Sequence, residues 1–385
     1  MKYLGAKSDG YHFFKQVHDD VNNLNLWNET ADATYARLGG LKNAQNMVDD
    51  FHKKGMFVSF YYIPDRYGLF SVLAKKYDKS QIAAKDKNGN YMIFDGYEPG
   101  DKDTILANQS DTWFNYLAQN TNKVVRDLNL DAIYLDVFPL HAIQYTFENG
   151  KPVPTNPNAR TINLLTRLRD LYPAKTAIWT EYAASDVASQ YLDGCISYAG
   201  TTTSLILSPR WDDPETTPKL LKPEIDIARY LMPHYKQFTL PQGYPLGWFV
   251  MKQMLFNGKG QFGGSWSQWD SDVSKILGDQ NRLLQKYSDC FNSDNPEQLV
   301  PTLRGDVYAN KFPAKDRTLW TIMNASGITI RGNVIAVAHK KNAIYQDAAT
   351  GKVLSYSVRD GKAYISMKLD PQSVSCILQT VSVGK

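Results

Sequence analysis

The chain has 385 residues, 43% of them hydrophobic and 21% charged. That length suits two or three domains, or one barrel with an appendage, and the composition excludes disorder as the main state. The formal net charge is only +4, with no basic run, which excludes the electrostatic footprint of a nucleic-acid binder. No apolar run reaches the ~18 residues of a membrane span. The N-terminal MKYLGAKSDGYHFF lacks the charged-then-apolar pattern of a signal peptide, so secreted and cytoplasmic locations both stay open. Cys195, Cys290 and Cys376 are far apart and odd in number, against both a disulfide framework and a cysteine metal site.

In chain order, no clean first strand precedes Tyr11. MKYLGA is either a remnant of one, or the strand is lost with an upstream piece, so the chain is expected to begin inside a larger protein or inside a barrel. Leu41–Lys54 then reads as an amphipathic helix, with Leu41, Ala44, Met47, Val48 and Phe51 at helical spacing, and Gly55 closes it. Met56–Ile63 reads as a buried strand stopped by Pro64. Asp111–Leu128 is a helix with Asp111 as its cap and Trp113, Leu117, Val124 and Leu128 as its inner stripe. A strand at Ala132–Val137, a helix at Ala159–Leu171, a strand at Thr176–Glu181, a short helix at Ala184–Tyr191 and a strand at Gly194–Tyr198 follow. Ile225–Leu240, Gly247–Phe256 and Ser271–Asn292 carry the last units of this kind. Helix–strand alternation with short links predicts a (β/α)8 TIM-type barrel over 1–294, with a first strand that is atypical or missing.

Beyond Asn295 the pattern changes to short β-branched and aromatic runs: Val307–Ala309, Thr318–Met323, Val334–Ala338, Ala343–Asp347, Leu354–Val358, Ala363–Met367 and Ser373–Leu378. Turn signals such as Asp360-Gly361 separate them. An antiparallel β-sandwich over 295–385 is predicted.

Two segments carry the chemistry. In Asp131–Pro139 (DAIYLDVFP), period-two alternation puts Tyr134 and Asp136 on one face and Ile133 and Leu135 on the other. Asp136 then stands at the C-terminal end of a strand, where barrels place catalytic groups. In Thr176–Asp186 (TAIWTEYAASD), Ala177, Trp179 and Glu181 share a face, and Glu181 ends the next strand. Two carboxylates on neighbouring strand ends meet the need of glycosidic cleavage, one attacking or activating water and one donating a proton. The alternatives are a carboxylate paired with Lys or Arg at Asp136 and a helix cap at Glu181.

The YLDVFP strand end, the WTEYA strand end 45 residues later (181 − 136), the helix–Gly–strand segment Ala36–Pro64 and a C-terminal sandwich together resemble the α-amylase-type superfamily of retaining glycoside hydrolases. Within it the chain looks most like the endo-α-N-acetylgalactosaminidase-like group and related bacterial barrels. The resemblance implies Asp136 as nucleophile and Glu181 as general acid/base. The pattern departs from that of true α-amylases at three places. Tyr134 stands where they carry Arg, and Leu140 where they carry His, with His141 one further. The only His-Asp dipeptide is His18-Asp19. The related α-galactosidase and α-glucosidase clan takes its acid from a later loop, where Asp212 and Asp213 of SPRWDDPE are the rival acids.

Aromatic residues are 12% of the chain, with 24 Tyr and 8 Trp, and sugar C–H faces pack on such rings. Tyr62, Trp179, Tyr182, Trp211, Trp248, Trp266 and Trp269 lie near predicted strand ends, and Tyr134 shares the face of Asp136. Of the late segments, GGSWSQWDSD (263–272) is the best candidate for a substrate loop. Asp65-Arg66 either clamps a hydroxyl or pairs internally. No GxSxG, HExxH or P-loop occurs, the histidines show no ligand spacing, and no motif calls for a metal or redox cofactor. The expected ligand is a carbohydrate. Glu181, beside Trp179 and Tyr182, is expected to hold a raised pKa, and Asp136 to stay ionised. The rival of another class is a non-catalytic carbohydrate-binding barrel or a fragment of a larger glycan-processing protein.

Overall fold

The computed structural model describes residues 8–13, 30–69, 71–94, 104–198, 223, 225–240, 247–261 and 271–381. The chain divides into two compact units, Ala6–Cys195 and Ile196–Lys385, the second together with Met1–Gly5.

The first unit contains β1 (Ser8–Phe13), helices α1 (Ala31–Arg37) and α2 (Leu41–Lys53), and β2 (Met56–Tyr62). A side layer follows: β3 (Arg66–Gly68), α3 (Val72–Lys76), α4 (Lys79–Ile82), β4 (Ile93–Phe94) and β5 (Thr104–Leu106). Then come α5 (Asp111–Leu128), β6 (Ala132–Leu135), the hairpin β7 (Tyr145–Glu148) and β8 (Lys151–Pro154), α6 (Pro157–Leu171), β9 (Ala177–Thr180), α7 (Asp186–Ser189) and the start of β10 (Gly194–Tyr198). Parallel pairing runs β1–β2–β6–β9–β10, the sheet that repeated helix–strand units dictate. A strand does stand near the start of the chain, with Phe13 opposite Phe60. Its sequence, SDGYHF, has no β-branched residue, so it escapes pattern reading.

The helices form as their sequences direct. The Ser110 hydroxyl accepts the Trp113 N–H at 3.2 Å and caps α5. Asp111, the expected cap, is the first helical residue, and its carboxylate binds Arg160 and Arg167 of α6 at 2.9 and 2.8 Å. The α5 stripe of Trp113, Leu117, Val124 and Leu128 is buried. Gly55, at φ +73°, closes α2 as expected. At the N-terminal ends of the strands, carboxylates tie neighbours together. Asp131 accepts the Val58 N–H and bonds His52, both at 2.8 Å. Asp193 accepts the Ile178 N–H at 2.8 Å and pairs with Arg169 at 2.6 Å. The β7–β8 hairpin turns at Asn149-Gly150, both with positive φ, the Asn-Gly signal of a tight hairpin.

The second unit contains α8 (Ile227–Leu231), β11 (Lys236–Leu240), α9 (Gly247–Asn257), β12 (Gly260–Gln261), α10 (Ser271–Lys286) and α11 (Ser288–Phe291). The strands β13 (Val307–Pro313), β14 (Arg317–Asn324), β15 (Ile330–Ala338), β16 (Ala343–Asp347), β17 (Ser355–Arg359), β18 (Lys362–Leu369) and β19 (Ser373–Val381) follow. They form two antiparallel sheets, ordered β13-β14-β19-β16 and β15-β18-β17, over a core that includes Trp320, Ile322, Val334, Ile365 and Ile377. All seven expected C-terminal strands are present. β13 and β14 both meet α9: the Asn310 amide of β13 and the Thr321 hydroxyl of β14 both donate to the Phe256 carbonyl, at 2.9 and 2.6 Å, and β14 is buried on both faces. The change of pattern near Asn295 is therefore a change of secondary structure inside one compact unit. The three cysteines are buried. Among the described residues, no helix is long and apolar enough to cross a membrane.

Candidate active site

The candidate site lies in the first unit, at the C-terminal ends of β2, β6 and β9. Register sets Tyr61 opposite Tyr134, and Tyr134 opposite Trp179. One row further, Asp136 and Glu181 follow the last paired residues, Leu135 and Thr180. Backbone bonds carry the register past the strand ends: Asp136 N–H donates to Tyr62 C=O at 2.8 Å, and Glu181 N–H to Leu135 C=O at 3.0 Å. The two carboxyls thus stand on adjacent strands, facing the same way, above a row of aromatic rings. Tyr61 and Tyr134 have centroids 5.5 Å apart, and Tyr134 and Trp179 4.5 Å.

Both carboxyl-bearing residues are buried, at 9% and 8% exposure. The Tyr134 hydroxyl donates to Asp136 Oδ1 at 2.8 Å. The Tyr61 hydroxyl donates to Oδ2 of the same residue. Val137 N–H donates to Glu181 Oε2 at 2.8 Å. That N–H is aimed by an unusual backbone: Val137 holds φ +52°, a region β-branched residues avoid and which costs of order 1–3 kcal/mol. The Asp136 and Glu181 side chains lie within interaction range of each other, close enough to share a proton.

Burial raises the Asp136 carboxyl, the charge of Glu181 raises it further, and the two tyrosine hydroxyls pull the other way. The outcome is an Asp136 pushed up to about 7. This corrects the expectation of a permanently ionised Asp136. An aspartate taken out of water beside another acid, with no cation among the described residues against it, holds its proton to higher pH. The alternative of an Asp136 paired with Lys or Arg does not hold among the described residues, because its side-chain partners are the two tyrosines and Glu181. A buried carboxyl pair with one proton can act as acid at one oxygen and as nucleophile or base at another.

Tyr134 and Trp179 are buried beneath the carboxyls, and the Trp179 Nε1–H is taken by Ser59 Oγ at 3.0 Å. Tyr182 follows the acid and is 44% exposed. Tyr62 is corrected: it points to the opposite face from Tyr61, its hydroxyl buried within electrostatic reach of the helix-layer residues Tyr35, Tyr116 and Tyr172. Asp65 is buried and bidentate on its own neighbour, Arg66, at 2.7 and 3.2 Å, so the internal pair is what forms. Trp211, Asp212, Asp213, Trp266 and Trp269, with the side chain of Trp248, lie outside the described residues. His141 is near the site in sequence, but its Nδ1 faces the Pro139 carbonyl at 3.4 Å. Among the described residues, no cluster of three or more metal-ligating side chains occurs.

Two contributors were missed in the sequence. Tyr61 shares the face of Ser59, whose burial beside Trp179 only the fold shows. Val137 was not legible either, because nothing in its side chain announces a left-handed backbone.

Solved structures with the same fold include an α-amylase from Anoxybacillus, 12% identical over 90% of this chain and 81% of that one, with a TM-score of 0.57. A maltogenic α-amylase from Thermotoga neapolitana is 15% identical over 89% and 82%, with a TM-score of 0.58. A debranching enzyme from Nostoc punctiforme is 14% identical over 97% and 86%, with a TM-score of 0.57. The fold is of the α-amylase type. No family profile and no curated protein sequence matches the chain. The coarser expectation, an α-amylase-type architecture with a parallel sheet and C-terminal antiparallel sheets, thus stands. Nothing in these likenesses singles out the endo-α-N-acetylgalactosaminidase-like group.

Proposed function

We propose that the chain is a glycoside hydrolase that cleaves an α-linked sugar by a retaining double displacement, with Asp136 as nucleophile and Glu181 as general acid/base. The supporting observation is the pair of buried, interacting carboxyls at the ends of two adjacent parallel strands. A pair on neighbouring strand ends suits the ~5–5.5 Å spacing of retaining enzymes better than the ~6.5–9.5 Å that leaves an inverting mechanism room for its water. In the first step an Asp136 oxygen bonds to the anomeric carbon. The bond to the leaving oxygen breaks, its electron pair stays on that oxygen, and the proton comes from Glu181. In the second step Glu181 takes a proton from water, the water oxygen bonds to the anomeric carbon, and Asp136 leaves as the carboxylate. For the first step the shared proton has to reside on Glu181 and not on Asp136.

The proposal extends to a closed (β/α)8 barrel over 1–294 carrying a sandwich over 295–385. Tyr182 is its exposed ring at the mouth, and Trp211, Trp266 and Trp269 are further sugar-stacking residues. The finer likeness adds α-N-acetylgalactosaminides to glucosides and galactosides as substrates to try. The test is a panel of nitrophenyl α- and β-glycosides and α-linked oligosaccharides, run beside glycan binding. Turnover of α-glycosides is expected, with none in Asp136→Ala. Glu181→Ala should spare substrates with an activated leaving group and lose natural ones, because only the latter need the acid. Glycan binding without turnover of any substrate would replace this reading by the non-catalytic one.

A further inference from the structure

Asp136 is buried, yet among the described residues the groups that contact its carboxyl are neutral hydroxyls and another acid. Each oxygen has its own donor, from a different strand: Tyr134 of β6 on Oδ1, at 2.8 Å, and Tyr61 of β2 on Oδ2. Both rings are 1% exposed, packed on each other, and Tyr134 is held against Trp179. Neither hydroxyl can swing away without breaking the aromatic row. A hydroxyl donated to a carboxylate is a charge-assisted bond and stronger than one donated to the neutral acid.

Resting on the reading of Asp136 as nucleophile, we propose that Tyr61 and Tyr134 are positioning residues that bias the carboxyl pair toward charge on Asp136. Burial and the neighbouring acid favour a neutral Asp136. The paired hydroxyls favour the anion, and they make the form with the proton on Glu181 accessible. The titratable groups facing Asp136 are Tyr61 from β2, Tyr134 from its own strand and Glu181 beyond β9. Asp65 and Arg66, which follow β2, engage each other.

The experiment is a carbon-13 NMR titration of the protein labelled at aspartate carboxyls, with the Asp136 signal assigned by its loss in Asp136→Asn. The wild-type midpoint is expected at about 7. Tyr134→Phe and Tyr61→Phe each keep the ring and remove one donor. Each should raise the midpoint by about one pH unit. Each should also lower kcat/KM for an α-glycoside by about tenfold through kcat, with KM nearly unchanged. Tyr62→Phe, on the opposite face, should leave the midpoint where it was. If one variant fails to fold, the other reads the same effect at the second oxygen. Folded Phe variants that both keep the wild-type midpoint overturn the proposal, whatever their activity. Shifted midpoints in a protein that turns over no glycoside uphold the charge bias and remove the catalytic reading instead.

Discussion

Replacing Asp136 by Asn should make the protein more stable, and the gain should grow with pH. The carboxyl titrates at 3.8 when free and at about 7 in the fold. A carboxyl raised by folding contributes its full share of stability below about pH 4. It loses that share as pH rises through about 7, because the folded state must then hold an anion it disfavours. At about 1.4 kcal/mol per pH unit, the cost above pH 8 is of order 4 kcal/mol. Asn has the same shape and cannot ionise. One tyrosine hydroxyl must turn away from its amide nitrogen, a penalty that does not change with pH. The stability difference between Asp136→Asn and wild type should therefore grow by of order 4 kcal/mol between pH 4 and pH 8.5. For a compact unit of this size that is of order 10 °C in melting temperature. Circular-dichroism melts of both proteins at stepped pH measure it, and titrations away from the carboxyl pair cancel. A difference that stays flat with pH, or wild type gaining on the variant as pH rises, would refute the reasoning.

Other outcomes follow from the same geometry. Activity should fall as pH rises through about 7, where the carboxyl pair loses its shared proton; a rate still climbing at pH 8.5 counts against a shared proton. Tyr62→Phe should raise stability by about 1 kcal/mol, because its buried hydroxyl has no hydrogen-bond partner among the described residues, and a melt shows this directly. Gly258 holds φ +63°, and an added Cβ would stand 2.6 Å from Phe291 Cδ1. Gly258→Ala should accordingly cost about 2–3 kcal/mol, visible as an early melt of the second unit.

Much of the framework was legible from local chemistry. The stripe of Asp111–Leu128, the glycine after α2 and the alternation in DAIYLDVFP each fix an element without tertiary help. The same alternation put Asp136 and Glu181 on the site face. In MFVSFYY both faces end in a tyrosine and carry a phenylalanine, with Ser59 the one polar position, so the sequence does not say whether the face of Tyr61 or that of Tyr62 is the site face. Choosing the wrong one reverses every side chain. The contact between the two carboxyls depends on the register of β6 against β9, set by packing and not by either sequence. The raised Asp136 depends on the same contact and on burial, so it too waits for the fold. β1 escapes pattern reading because SDGYHF has no β-branched residue and sets Asp and Gly beside its two aromatics; pairing with β2 holds it.

The central claim is that Asp136 attacks the anomeric carbon. Proton NMR of the first-formed product from an α-glycoside tests it most directly, read before mutarotation, with Asp136→Ala run alongside. The account predicts the α-anomer first from wild type and no turnover in the variant. A β-anomer formed first, or an active Asp136→Ala, contradicts it and brings Asp212 or Asp213 forward.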